Sequence, residues 1–197
     1  MNNTFYLVRH GESKFNVENR HQGWKAGVPL TPLGQIQANL VAEFLSNYPI
    51  DVILSSPLLR TRQTAMAVSK RNKTKIHYSK KLLDFRRSAS QEGLKSTEYL
   101  NLPEYQTWKN KVAEDLTFSL PDGESRHSFY KRVISFGDVC NRNFESKNVL
   151  IVTHLDTILH LILHWTGEEI NRNEIINCSI FQIHPEAKRL EILTPTS

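Results

Sequence analysis

Hydrophobic positions in this chain alternate between two periods, and the alternation predicts most of its elements. Thr4-Phe5-Tyr6-Leu7-Val8 is rich in β-formers and predicts a buried strand almost at the start. Glu12 to Asn16 predicts a turn of helix or a loop, and Asn19 to Pro29, with Gly23, Gly27 and Pro29, a surface loop. Thr31-Pro32 is a helix start, Thr capping and Pro in the first turn. Leu33, Ile36, Leu40 and Phe44 follow at helical spacing and predict its apolar face, which Pro49 ends. Asp51 to Ser55 predicts a second strand, Ser56-Pro57 a helix begun by the same device, and Lys75 to Tyr78 a third strand.

From Leu83 to Leu120 the pattern weakens. Ser88-Ala89-Ser90-Gln91 and Pro103 predict irregular or short helical structure, with residues 85–120 forming a lid that selects substrate. A helix is expected from Glu124 to Phe144, striped by Phe129, Val133, Phe136, Cys140 and Phe144. Val149 to Thr153 reads as a buried strand, and Leu155, Ile158, Leu159 and Ile162 carry the next helix. Ser179 to His184 and Leu190 to Leu193 are β-like runs joined by a turn at Pro185 to Lys188. Strands alternating with helices imply an α/β fold, a three-layer α/β/α sandwich on a mostly parallel sheet.

Composition narrows the class. With 197 residues, 39% hydrophobic and 23% charged, the chain fits one domain, residues 1–197, with an ample core. The apolar stretch Val149 to Trp165 is interrupted by His154, Asp156, His160 and His164, which makes it core rather than membrane span. No signal peptide is recognisable, and Cys140 and Cys178 lack CxxC spacing, so reduced thiols and a cytoplasmic location are expected. The net charge of +5 suits an anionic substrate. The basic run from Lys70 to Lys81 has no interleaved aromatics, so it reads as a solvated face and no nucleic-acid partner is expected. His160 and His164 lie one turn apart without a third ligand, and no metal site is expected of them.

The chemistry gathers at strand ends. Three strands finish in polar, reactive residues: Arg9-His10, then Ser55-Ser56 leading to Arg60, then Thr153-His154. Parallel sheets bind ligands beyond the carboxyl ends of their strands, so a shared pocket is expected there. Arginine offers a permanent planar cation that matches phosphate oxygens, and histidine a nitrogen largely neutral near pH 7. Arg60 falls in the first turns of its helix, where a lone cation is unfavourable by about 0.3–1 kcal/mol unless an anion binds nearby.

The run Arg9-His10-Gly11-Glu12-Ser13 with Asn16, Gln22-Gly23, Leu30 to Ala38, Ser55 to Ala65, Gly123-Glu124-Ser125 before Arg132, and Val149 to His154 spans nearly the whole chain. In that order it resembles the histidine phosphatase superfamily, which includes phosphoglycerate mutases and smaller broad-specificity phosphatases. The resemblance implies a phosphoglycerate mutase-like fold and a metal-independent phosphatase that needs no cofactor. It implies that His10 attacks phosphorus and becomes a phosphohistidine that water hydrolyses. It further implies Arg9, Arg60 and His154 as donors to the phosphoryl oxygens, with Asn16, Gln22 and Gly23 lining the phosphate pocket. The leaving-group acid falls at Asp84, with Glu92 as the alternative. Two departures stand out: Leu155 replaces the glycine usual after the second histidine, where its backbone N–H can still meet phosphate. Arg86-Arg87-Ser88 replaces the glycine usual after the acid, and those arginines either meet a second anionic group or sit in water. A small phosphorylated metabolite is the expected partner, of a monomer or homodimer. Mutase-type transfer and a silent phospho-ligand binding module are the alternatives.

Overall fold

A computed structural model describes residues 3–194, so both ends of the expected 1–197 domain lie outside the described residues. The elements run β1 (Thr4–Arg9), α1 (Lys14–Val17), α2 (Pro32–Leu45), β2 (Val52–Ser55), α3 (Leu59–Asn72) and β3 (Ile76–Tyr78). After them come α4 (Ser96–Tyr99), α5 (Pro103–Glu114), α6 (Arg126–Asn143), β4 (Asn148–Thr153), α7 (Leu155–Thr166), β5 (Ile180–His184) and β6 (Arg189–Leu193). The strands form one sheet in the order β3-β2-β4-β1-β5-β6. The first four are mutually parallel, and β5 joins β1 antiparallel. The mixed α/β sheet agrees with the expected fold class.

Pleating sorts the strand residues between two layers. Phe5, Leu7, Val149 and Ile151 face the cluster with Phe129, Val133, Ile158 and Leu161 of α6 and α7. Tyr6, Val8, Leu150 and Val152 face Val41, Ala42, Leu45, Ala65 and Val68 of α2 and α3. No helix among the described residues is long and apolar enough to cross a membrane.

The face expected of α2 is corrected. Leu33, Ile36 and Leu40 are about half exposed, whereas Gly34, Ala38, Val41, Ala42 and Leu45 are buried. The helix sits close to its neighbours, and small side chains permit that approach. A Cβ on Gly34 would lie 2.0 Å from the Glu12 carbonyl oxygen, and one on Gly11 would lie 2.5 Å from the Gly34 carbonyl oxygen. The two glycines therefore clamp the loop after β1 onto the start of α2.

The start of α3 also differs from expectation. Its N-cap is Leu58, with no side-chain cap, and Ser56 lies two residues earlier, free to serve the neighbouring β4 terminus. The 85–120 segment is more ordered than its sequence suggests. Besides α4 it holds the twelve-residue α5, whose Trp108 is buried in the core beside Phe85.

The clamp predicts that Gly34→Ala lowers unfolding free energy by at least about 1–3 kcal/mol through overpacking. Ile36→Ala, on the exposed face, stays within about 0.5 kcal/mol. Urea denaturation measures both, and equal losses would contradict the assigned helix face.

Candidate active site

Strand register brings the reactive residues together. Arg9 pairs with Thr153 and Ser55 with Val152, so His10, His154 and Ser56 all emerge at one sheet edge. The His10 N–H donates to the Thr153 carbonyl (3.0 Å) and the Ser56 N–H to that of Val152 (3.1 Å). The His10 and His154 rings meet edge-on with centroids 5.3 Å apart. His10 Nδ1 lies 2.8 Å from the Gly11 carbonyl oxygen. A carbonyl only accepts, so Nδ1 carries the proton and Nε2 keeps its lone pair. Burial first, then Arg60 and Arg9, push the His10 pKa well below its ordinary value, so the ring is neutral.

Two guanidinium groups surround this imidazole. Arg60 is fully buried, donating from Nη1 to the Lys25 carbonyl (3.1 Å) and from Nη2 to that of Gly23 (2.9 Å). Burial lowers its pKa to about 10, against the opposing field of Asp84. Arg9 donates to the Ile175 carbonyl at 2.6 Å. The Nε atoms of both arginines are buried without a hydrogen-bond partner. His154 Nε2 lies 2.9 Å from Ser56 Oγ, while its partnerless Nδ1 stands 3.9 Å from Asp84 Oδ2. Burial, followed by Arg60, holds His154 neutral as well. Burial and then the Asp156 charge raise Asp84 to about 7, with Arg60 pulling the other way. A neutral nucleophile, fixed cations with spare donors, and a carboxyl that holds its proton near pH 7 are together suited to an oxyanion substrate.

The sequence profile described as the histidine phosphatase superfamily (branch 1) matches residues 5–196. The chain belongs to that family. It is 29% identical to phosphoserine phosphatase 1 of Hydrogenobacter thermophilus over 191 residues, covering 95% of this chain and 89% of that one. It is 28% identical to the "Probable phosphoglycerate mutase GpmB" of Serratia proteamaculans, covering 90% and 83%. The solved phosphoserine phosphatase of Entamoeba histolytica, in complex with 3-phosphoglyceric acid, superposes with a TM-score of 0.77 at 26% identity, covering 98% and 95%.

In this histidine phosphatase a cleft of about 240 Å³ is lined by Arg9, His10, Gln22, Gly23, Asp84 and Leu155, among others. Arg60 and His154 are fully buried beside it. Leu155 opens α7, where the first N–H groups have no acceptor within the helix. Asn16 does not line the cleft. Its side-chain oxygen caps α1 by accepting from the Ser13 N–H and Oγ–H. Glu92 is also outside it, accepting from the Trp24 N–H (2.7 Å) and Arg86 Nε (3.0 Å). Of the two arginines after the acid, Arg86 is thus paired to Glu92, and Arg87 lines the cleft. His160 Nδ1 lies 2.9 Å from the Asp156 carbonyl oxygen and His164 Nε2 2.7 Å from Asp138, each a local contact along α6 and α7.

Sequence reasoning missed the supports of these groups. Trp24 donates from Nε1 to the Asp84 carbonyl (2.7 Å), while the carbonyls on either side of it hold Arg60. Arg132 holds the Asp84 segment from the other side, donating to the Leu83 carbonyl (3.0 Å) and pairing with Glu124 (2.5 Å). Ser56 contacts His154 rather than capping α3, and the only sequence signal for that contact is its place after a strand. Gly123-Glu124-Ser125 and Arg132 matched the family pattern without disclosing a role.

Trp24→Phe keeps the ring but removes the donor to Asp84, so it loosens the spacing between the acid loop and Arg60. The expected outcome is a roughly tenfold loss of kcat/KM on phosphate esters, with about 0.5–1.5 kcal/mol of stability lost. Steady-state kinetics beside urea denaturation checks it, and an unchanged kcat/KM would show that Asp84 and Arg60 are held independently.

Proposed function

We propose that this enzyme hydrolyses a small phosphomonoester through a phosphohistidine on His10, with Asp84 as general acid and no metal ion. The observation that carries the reading is the His10 tautomer: Nδ1–H is held by the Gly11 carbonyl, which leaves Nε2 as the nucleophile at the cleft. His10 Nε2 attacks phosphorus, the P–O ester bond breaks, and the leaving oxygen takes the Asp84 proton. Water then attacks the phosphohistidine, returns a proton to Asp84, and releases inorganic phosphate with His10 neutral again.

Arg9 and Arg60 supply the positive charge that a loose phosphoryl transition state needs, and their unpartnered Nε atoms are free to meet oxygens. His154 stands near both His10 and Asp84 and adds a donor. The N–H of Leu155 at the start of α7 and the amide of Gln22 complete the phosphate surround. Gln22 is steadied by Ser13 Oγ, which lies 3.0 Å from its side-chain amide. Glu92 has a different part: with both its partners in the loop and Arg86, it holds Gly23 and Trp24 rather than donating a proton. The names of the relatives, phosphoserine phosphatase among them, support a small phosphorylated metabolite as substrate.

Two results test this. Turnover of an activated aryl phosphate persists with chelator present and vanishes in His10→Ala; vanadate binding without turnover in the unaltered enzyme would point to a silent binding module instead. The second test follows from the raised pKa of Asp84. The acid works only while protonated, so kcat/KM on an alkyl phosphate is retained below about pH 7 and falls as pH rises through that value. Asp84→Asn removes this alkaline limb and costs about 10²–10⁴-fold on alkyl esters, and much less on aryl esters, whose leaving groups need little protonation. A limb that persists in Asp84→Asn, or equal losses on both esters, would remove Asp84 from the acid role.

A further inference from the structure

Beyond the phosphoryl pocket, the same cleft carries cations for which the reaction has no use. Arg87 lines it, three residues past the acid. Its guanidinium lies over three aromatic rings, 4.7 Å from the Trp108 centroid, 5.1 Å from Tyr105 and 5.2 Å from Tyr99. Its one side-chain hydrogen bond goes to a neutral group, Gln91 Oε1 at 3.3 Å, and its Nε is buried without a partner. No carboxylate among the described residues pairs with it. Arg126, at the start of α6, stands over Phe85 (4.9 Å) and the other side of the same cluster at Trp108 (5.6 Å), also without a carboxylate partner. The charges of Arg87, Arg172 and Asp156 all reach it.

The remaining groups at this end do not cancel the charge. Arg172 and Asp156 also line the cleft, and they pair with one another rather than with Arg87. His21 sits beside Tyr99 with its Nε2 buried and unpartnered, and burial lowers its pKa to about 4, so it is a neutral donor or acceptor. Stacking on aromatic faces fixes a guanidinium and leaves its in-plane N–H groups available, the arrangement that suits bidentate capture of a planar or tetrahedral anion. Two such cations held close together without counter-ions repel one another, and a bound anion would relieve that repulsion.

We infer that this end of the cleft, with Arg87 as its principal ligand and Arg126, behind the same aromatic cluster, supplying field, binds a second anionic group of the substrate. This rests on the phosphatase reading above and narrows it. The substrate class is a short phosphomonoester that bears a carboxylate or a second phosphoryl group, because a space of about 240 Å³ holds both groups only on a short linker. Neutral sugar or alcohol phosphates of the same length lack a partner for Arg87.

Binding tests this without turnover. In calorimetry, phosphonoacetate, which carries a carboxylate, should bind the unaltered enzyme at least tenfold tighter than ethylphosphonate, and ethylene-1,2-bisphosphonate shows whether a second phosphoryl group serves better. Arg87→Met, which keeps an apolar stem on the aromatic cluster, should reduce the gap between phosphonoacetate and ethylphosphonate to about twofold. Arg126→Met should narrow it partly, and Arg87→Lys should retain more of it than Arg87→Met. The kinetic counterpart is the ratio of kcat/KM for phosphoglycolate over 2-hydroxyethyl phosphate, which Arg87→Met should compress in parallel. Equal binding of ethylphosphonate and phosphonoacetate by the unaltered enzyme, or a gap that survives both methionine variants, overturns the second-anion site. Turnover of both esters alongside equal binding would leave the phosphatase reading standing, whereas a binding gap with no turnover of either would overturn that reading and keep the subsite.

Discussion

A guanidinium buried without a carboxylate partner is the constraint on which this structure depends. Arg60 has no exposed surface, and two backbone carbonyls rather than an anion take its terminal N–H groups. Burying an unneutralised cation costs several kcal/mol. The fold must hold the charge by other means, and the charge in turn acts on everything near it. It adds to the burial that keeps His10 and His154 neutral, and it works against the burial that holds a proton on Asp84. Under the proposed reading, a phosphoryl group entering the cleft supplies the missing counter-charge, so a feature unfavourable in the empty protein favours the ligand.

The supports around that charge explain several residues that have no chemistry of their own. The Gly23 backbone sits at φ +46 with Glu92 packed against it, leaving no room for a Cβ there. Glu92 closes the position by accepting from Trp24 and Arg86, and the indole of Trp24 reaches the backbone of Asp84. Arg60 and Asp84 are therefore linked through one side chain, though they belong to segments some two dozen residues apart. Arg132 of α6 and Glu124, just before that helix, brace the Asp84 loop, and the Arg86 N–H also meets Glu124 at 3.4 Å. Geometry within a fraction of an ångström matters at such sites, and a double brace is a direct way to keep it.

The segment expected as a lid has a further consequence. Trp108 of α5 is buried in the core yet also forms a platform under Arg87 and Arg126. The far end of the cleft is thereby built on packed aromatics rather than on a loose loop. The packing of the 85–120 segment and the proposed second-anion site share the same side chains.

Much of this was legible in the sequence, for identifiable reasons. Strand-ending polar residues Arg9-His10, Ser55-Ser56 and Thr153-His154 signalled a common edge, because a parallel α/β pattern leaves few other places for them. The stripe of α6 was equally plain, since Phe129, Val133 and Phe136 pack where the periodicity put them. Where the sequence misled, distance of approach was the cause. Of the apolar stripe of α2, Phe44 packs on the core but Leu33, Ile36 and Leu40 face outward, because the tight contact at Gly11 and Gly34 selects small residues for the inner face, a requirement periodicity cannot express. The partner of Ser56, the split between Arg86 and Arg87, and the employment of Glu92 were likewise decided by contacts across 6 to 98 positions of sequence. Side-chain type and order along the chain determined which chemistry was available and which sheet edge would hold it. Only the tertiary structure decided which charges were left without partners, because that depends on what each one meets after the chain has closed on itself.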